Sequence, residues 1–291
     1  MVEEYRNLLP TYIRNLEKQQ LNLIASNDLD SIISCALWEE KYNFRIKHFF
    51  DFRNLWTCKD FKDDPEDRFG VDLSLTEGKC ISNHVTQISY MDEIVNEQDV
   101  NMNNIEWKEG RIIHGSGICY FGKYNLNTIL LSMSVLDVPL PKDDESKSII
   151  LAIDSAFQAF YSKHPNDVRA IYRYLKILGF EELIDFMKQK DEQYFKNITE
   201  KYGLKSKIFI KNGKLTSSKN LTGLRNKLKL SMGIDIKLPQ QEFEVTQHFG
   251  VQAVEIPRNI FLTKQEPIDR GVKLYSLAIT GRYYMKTSYY I

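Results

Sequence analysis

Asp28 and Asp30 lie two positions apart just past the apolar run LNLIAS, and carboxylates so spaced in an extended segment leave the chain on one side. Both can reach one cation. Asp72, near the end of the apolar run GVDLSL, is a third carboxylate at an equivalent position. His84 follows it by twelve residues, and Asp154 closes the set. Mixed carboxylate and imidazole donors suit Mn²⁺ or Mg²⁺, which polarises a phosphoryl oxygen and lowers the pKa of a bound water to make a nucleophile. Plainer roles compete with this chemistry. Asp28 or Asp30 could cap the helix that starts near Ser31. Asp154 sits in an otherwise apolar helical stretch, where an unpaired carboxylate is costly to bury, so it must be exposed, paired or ligating.

The elements around these residues read as an α/β chain. LNLIAS is a strand ending in the sharp turn NDLDS; SIISCALWEEKYN places Ile32, Ile33, Ala36 and Leu37 on one helical face; RIKHFFDF returns to strand composition. This β-α-β order puts Asp28 and Asp30 at the carboxyl edge of a parallel sheet, where open α/β folds bind ligands. FGVDLSL and CISNHVTQIS read as further strands. Two helical regions follow, LNTILLSMSVLDVPLP and DESKSIILAIDSAFQAFYS, the first interrupted by Pro139 and Pro141.

From Asn166 a long amphipathic helix begins, with His164-Pro165-Asn166 as hinge and N-cap, and the domain boundary is placed there. Residues 1–163 form a parallel-sheet domain, and residues 164–291 a smaller α+β domain for recognition or interaction. In the second half KIFIKNGKLTS is a hairpin turning at Asn212-Gly213, and EFEVTQ, VQAVEIP and VKLYSLAI are β-prone.

Weaker binding candidates lie outside the aspartate set. His114-Gly-Ser-Gly can offer an imidazole and backbone N–H groups to a phosphate, though a plain loop explains the glycines equally well. Lys123, Asn125, Asn127 and Thr128 can line the same crevice or merely start a helix. Arg282 and Lys286 stand among the tyrosines of GRYYMKTSYYI, a composition that can stack on bases or simply pack a strand pair. Lys plus Arg (39) equals Asp plus Glu (39), so no global positive field favours a long polyanion, and a small phosphorylated substrate or short oligonucleotide is expected. Cys35, Cys58, Cys80 and Cys119 form no C-x-x-C pair, which fits reduced thiols in a cytoplasmic protein. No apolar run suits export or a membrane span. A homodimer is left open.

In order along the chain, NDLDS, VDLSL, SNHV and AIDSAF resemble the four motifs of the DHH phosphoesterase superfamily, which includes RecJ, nanoRNases and family II pyrophosphatases. The resemblance spans about residues 20 to 160. It implies a parallel-sheet domain whose carboxyl edge binds Mn²⁺ or Mg²⁺ through Asp28, Asp30, Asp72, His84 and Asp154. Asn83 and Val85 stand where the family has the first and last letters of D-H-H, the last being associated with substrate phosphate. Ile24 stands where many members have a histidine, and Asp51 is an alternative to Asp72 as the second-motif residue.

The expected function is therefore metal-dependent hydrolysis of a small phosphodiester or phosphoanhydride, such as a short oligonucleotide, a cyclic dinucleotide or a related nucleotide. The alternative is a catalytically degenerate relative that binds a nucleotide or a protein partner. A third reading makes Asp28 of DLDS a covalent nucleophile of the haloacid-dehalogenase type, which leaves His84 and Asp154 without roles.

Overall fold

The computed structural model describes residues 1–111, 113–114, 120–256 and 262–291. Gly115, Gly117 and Cys119, singled out above, lie outside the described residues, as does Pro257 of VQAVEIP. Apolar runs bounded by turn residues form the strands β1 (Asn22–Ala25), β2 (Arg45–Phe50), β3 (Asn54–Cys58), β4 (Arg68–Val71), β5 (Lys79–Ile81), β6 (Asp99–Val100), β7 (Ile208–Lys211), β8 (Lys214–Ser217), β9 (Phe243–Glu255), β10 (Leu274–Gly281) and β11 (Tyr284–Tyr290). The helices are α1 (Glu3–Arg6), α2 (Leu29–Tyr42), α3 (Met102–Lys108), α4 (Thr128–Val135), α5 (Asp144–Ala152), α6 (Pro165–Leu178), α7 (Glu182–Lys188), α8 (Glu192–Lys201), α9 (Thr222–Met232) and α10 (Gln265–Asp269).

Among the described residues, nine strands form one sheet in the order β10-β11-β9-β3-β2-β1-β4-β5-β6, so the chain is a mixed α/β fold. The run β2, β1, β4, β5, β6 is parallel throughout. β3, β9, β11 and β10 add antiparallel pairs on the β2 side. β1 has three of its four residues buried: Leu23 and Ala25 lie in the helix-covered core, and Ile24 packs with Phe50, Phe249 and Tyr275 in a second cluster. Asp28 caps α2 and Asn43 ends it in the left-handed region (φ 59°), a conformation asparagine tolerates. Trp38 on α2 seals the helix layer: its ring meets Phe69 edge-on at 4.9 Å, and its Nε1–H donates to Ser132 Oγ on α4 at 3.2 Å.

The expected boundary at residues 163/164 falls just before α6. β9 nevertheless continues the sheet begun by the first half through its pairing with β3. One buried core joins Leu23, Trp38 and Phe69 to Phe195, Leu228 and Phe243. β7 and β8 form a separate hairpin turning through Asn212 and Gly213, both at positive φ.

Several elements differ from the reading of the sequence. CISNHVTQIS is strand only at its start, so His84 stands in the loop after β5. The helical run 144–161 breaks at Asp154 and Ser155, whose φ values of 49° and 57° turn the chain out of the helix. Asp154 is therefore presented from a kink and not from a helix face. The long helix expected after Asn166 is divided into α6, α7 and α8, the first ended by Gly179 at φ 80°. Among the described residues no helix is long and apolar enough to cross a membrane.

Candidate functional site

The chain order of the parallel strands reverses at β1: β2 lies on one side and β4 on the other. Open α/β sheets bind ligands in the crevice at such a reversal, at the carboxyl ends of the strands. Asp28 leaves β1 there and Asp72 leaves β4, while His84 follows β5. A single buried hydroxyl fixes the first two. Ser31 Oγ accepts from Ser26 N–H at 2.7 Å and donates to the Val71 carbonyl at 2.7 Å, tying the ends of β1 and β4 to the first turn of α2.

Asp30 faces a second helix. Its two oxygens accept the N–H groups of Thr128 and Ile129 at 2.8 and 2.9 Å, so it satisfies free donors at the start of α4. The Thr128 hydroxyl then donates to Asp72 Oδ1 at 2.7 Å. Asp72 is held at φ 58° by its own N–H bonding the Ile81 carbonyl. Asn127 caps α4 through Leu130 N–H, and its amide donates to the carbonyls of Ile150 (2.7 Å) and Ile153 (3.1 Å), anchoring the kink at Asp154. Asn83 donates to Asp154 Oδ2 at 3.3 Å. Behind His84, Asn101 donates to the His84 carbonyl at 2.8 Å and Asn103 to that of Asn83 at 3.1 Å.

The charges of this cluster act on one another. Burial, then Asp154 and Asp28, push the Asp30 carboxyl well above the usual carboxylate range. Burial, then Asp30, Asp28 and Asp154, do the same to Asp72. Asp154 is pushed up to about 6 by burial and by Asp28, while Asn83, Lys123 and Lys207 pull the other way. His84 is lowered to about 4 by burial and by Lys123 and Lys286, so at neutral pH its ring is uncharged and keeps a free lone pair. Crowded carboxylates with raised proton affinity beside a neutral imidazole offer donors of the kind a hard divalent cation accepts. Among the described residues no group of three or more His, Cys, Asp or Glu side chains is arranged as a ready metal site.

His84 lines two clefts. One, about 280 Å³, lies against the β10–β11 hairpin and is also lined by Asp28, Asp72, Lys207 and Lys286. The other, about 460 Å³, is lined by Asp154, Asn83, Lys123 and Tyr161. Lys286 thus belongs to the site. Arg282 lies over the rings of Tyr283 and Phe121 at 5.1 and 5.6 Å, and buried His114 packs 6.3 Å from Tyr90; neither lines these clefts. Asp51 is occupied in the turn after β2, accepting from Arg53 N–H, Asn54 N–H and the Trp56 indole, so Asp72 is the aspartate that joins the cluster. Lys207 went unrecognised in the sequence. It enters because Ile208 N–H bonds the Asn27 carbonyl at 3.0 Å. No family model, curated protein or solved structure matches the chain.

Proposed function

We propose that the chain is a divalent-metal-dependent phosphoesterase acting on a small phosphodiester or phosphoanhydride, with His84 at the junction of its two clefts. The observation that carries this reading is the convergence of Asp28, Asp72, His84 and Asp154, from four separate segments, on the strand-order reversal of a parallel sheet. Asp28, Asp72, His84 and Asp154 would hold Mn²⁺ or Mg²⁺, together with Asp30 where its remaining lone pairs allow. The bound ion supplies Lewis-acid polarisation of the phosphoryl oxygen and a more acidic water.

The chain's own residues do the rest. Lys123, Lys207 and Lys286 ring the acidic cluster and offset negative charge that develops on phosphoryl oxygens. Neutral His84 can accept a proton or ligate, which an imidazolium could not. Asp30 and Thr128 fix the start of α4 against Asp72 and so act as positioning residues. Hydrolysis of bis-p-nitrophenyl phosphate, pApA and pyrophosphate, with and without Mn²⁺, tests the reading. Metal-stimulated turnover of at least one, lost in His84→Ala, is the expected result; silence on all three with no Mn²⁺ binding by calorimetry would sink it.

One observation favours the degenerate, ligand-binding alternative: both Asp30 oxygens are already engaged by backbone N–H groups. That reading expects saturable nucleotide or partner binding and no turnover above an Asp30→Ala control.

A further inference from the structure

The cleft under the β10–β11 hairpin is lined by unlike groups. Lys207 and Lys286 are its cations, neither in an ion pair among the described residues, and Asp28 and Asp72 its carboxylates. Phe52, Leu73, Val251 and Leu277 make its apolar wall. Cationic and apolar groups lining one cleft suit a ligand that is anionic at one end and flat and apolar at the other.

Phe52 is the unusual member of that wall. It lies in the left-handed region at φ 72°, where a bulky aromatic residue is a genuine outlier. Such strain persists only where the surroundings enforce it, and it gathers at functional sites. Here Ser288 Oγ donates to the Phe52 carbonyl at 2.8 Å, and the Asp51 side chain closes the turn on its other side. Phe50, two residues earlier and 5.3 Å away, is fully buried, whereas Phe52 packs against the same core only in part and also lines the cleft. Val251 on the same wall is 39% exposed, and buried Ser74 keeps a hydroxyl with no protein hydrogen-bond partner.

We propose that this cleft selects the substrate: Phe52 takes the planar ring of a nucleotide unit, and Lys207 and Lys286 take its phosphate, leaving the remainder to cross His84 into the second cleft. A volume of about 280 Å³ suits one such unit and no more. The inference rests on the phosphoesterase reading of the same site and makes Phe52 its specificity-determining residue.

Calorimetric titration of the full chain with AMP and with ribose 5-phosphate, without metal, separates ring from phosphate. AMP should bind about 10-fold or more tighter, the ordinary effect of one base stacking on an aromatic side chain. Phe52→Asn removes the ring while placing there a residue that tolerates positive φ, so the fold is kept. It should bring AMP to the affinity of ribose 5-phosphate and leave the latter unchanged, and Phe52→Tyr should restore the preference. Lys286→Ala should weaken both ligands alike. Equal affinities in the wild type, no AMP binding at millimolar concentration, or a preference that survives Phe52→Asn would each overturn the proposal. A preference for AMP without any Mn²⁺-dependent hydrolysis would remove the phosphoesterase reading and leave the ring site standing. Turnover of pyrophosphate with no preference for AMP would do the reverse.

Discussion

Ser31 has no chemistry to contribute, yet its hydroxyl holds two strand ends and so the spacing of Asp28 and Asp72. Ser31→Ala leaves the buried Ser26 N–H and Val71 carbonyl each without that partner, at roughly 1–3 kcal/mol per orphaned group. Urea denaturation should show a loss of about 2 kcal/mol or more, together with reduced turnover; an unchanged midpoint would show that the clamp is dispensable. Asp28, Asp72 and His84 could be singled out in the sequence because each follows the apolar run that becomes its strand. The role of Asp30 could not. Its partners are the N–H groups of α4, about a hundred residues away, and no local pattern announces them. Capping of α2, foreseen for one of the two aspartates, falls to Asp28, which accepts from Ser31 N–H.

At the scale of elements, the loop after His84 is locked by a buried ion pair. Lys264 Nζ donates to Asp92 Oδ2 at 2.6 Å and to the Thr86 carbonyl at 2.8 Å, while Asp92 also accepts from Ile88 N–H. Both side chains are almost wholly buried. Removing one partner strands the other charge, so Lys264→Met should cost about 3–5 kcal/mol in thermal or denaturant unfolding. Adding Asp92→Leu should return part of that loss, and a double variant no better than the single one would contradict the pairing argument. β11 packs on β9 by a different device. Gly250 on β9 lies under the ring of Tyr289, whose Cζ would stand 2.2 Å from an added Cβ. Gly250→Val should therefore lower the melting temperature by several degrees or displace Tyr289 from the sheet, with circular dichroism as the measure. Helix breaks were the least legible feature. The apolar period of residues 144–161 runs straight through Asp154, while the kink depends on Asn127 and Asn83 reaching in from other elements. Gly179, by contrast, was a local stop signal available in the sequence.

Across the whole molecule, the halves share a sheet edge and a core, so residues 1–163 alone should not unfold cooperatively, whereas the full chain should melt in one transition. Two separate calorimetric transitions would support the two-domain division. The pairing of β9 with β3 was out of reach of periodicity, because it joins strands nearly two hundred residues apart by backbone bonds that any side chains could accompany. Buried titratable groups pull in both directions as the pH falls. His48 is fully buried and lowered to about 4, first by burial, against an unfolded value near 6.5. The unfolded state then binds the extra proton first, and stability falls as pH drops from about 6.5 towards 4, by at most about 3 kcal/mol from this group. Asp99 and Asp154, each raised to about 6 first by burial, work in the opposite direction over about 6 to 4, as do the raised carboxyls of Asp30 and Asp72. His48→Gln should make stability at pH 4 to 5 higher relative to pH 7 than in the wild type; an unaltered difference would exclude a contribution from His48.

The site itself is tested by the initial rate of bis-p-nitrophenyl phosphate hydrolysis in Mn²⁺, compared between the wild-type chain and a folded His84→Ala variant. A metal-stimulated rate in the wild type that falls roughly 100-fold or more in the variant is the expected result. A metal-stimulated rate that His84→Ala leaves intact would contradict the assignment of chemistry to the junction of the two clefts.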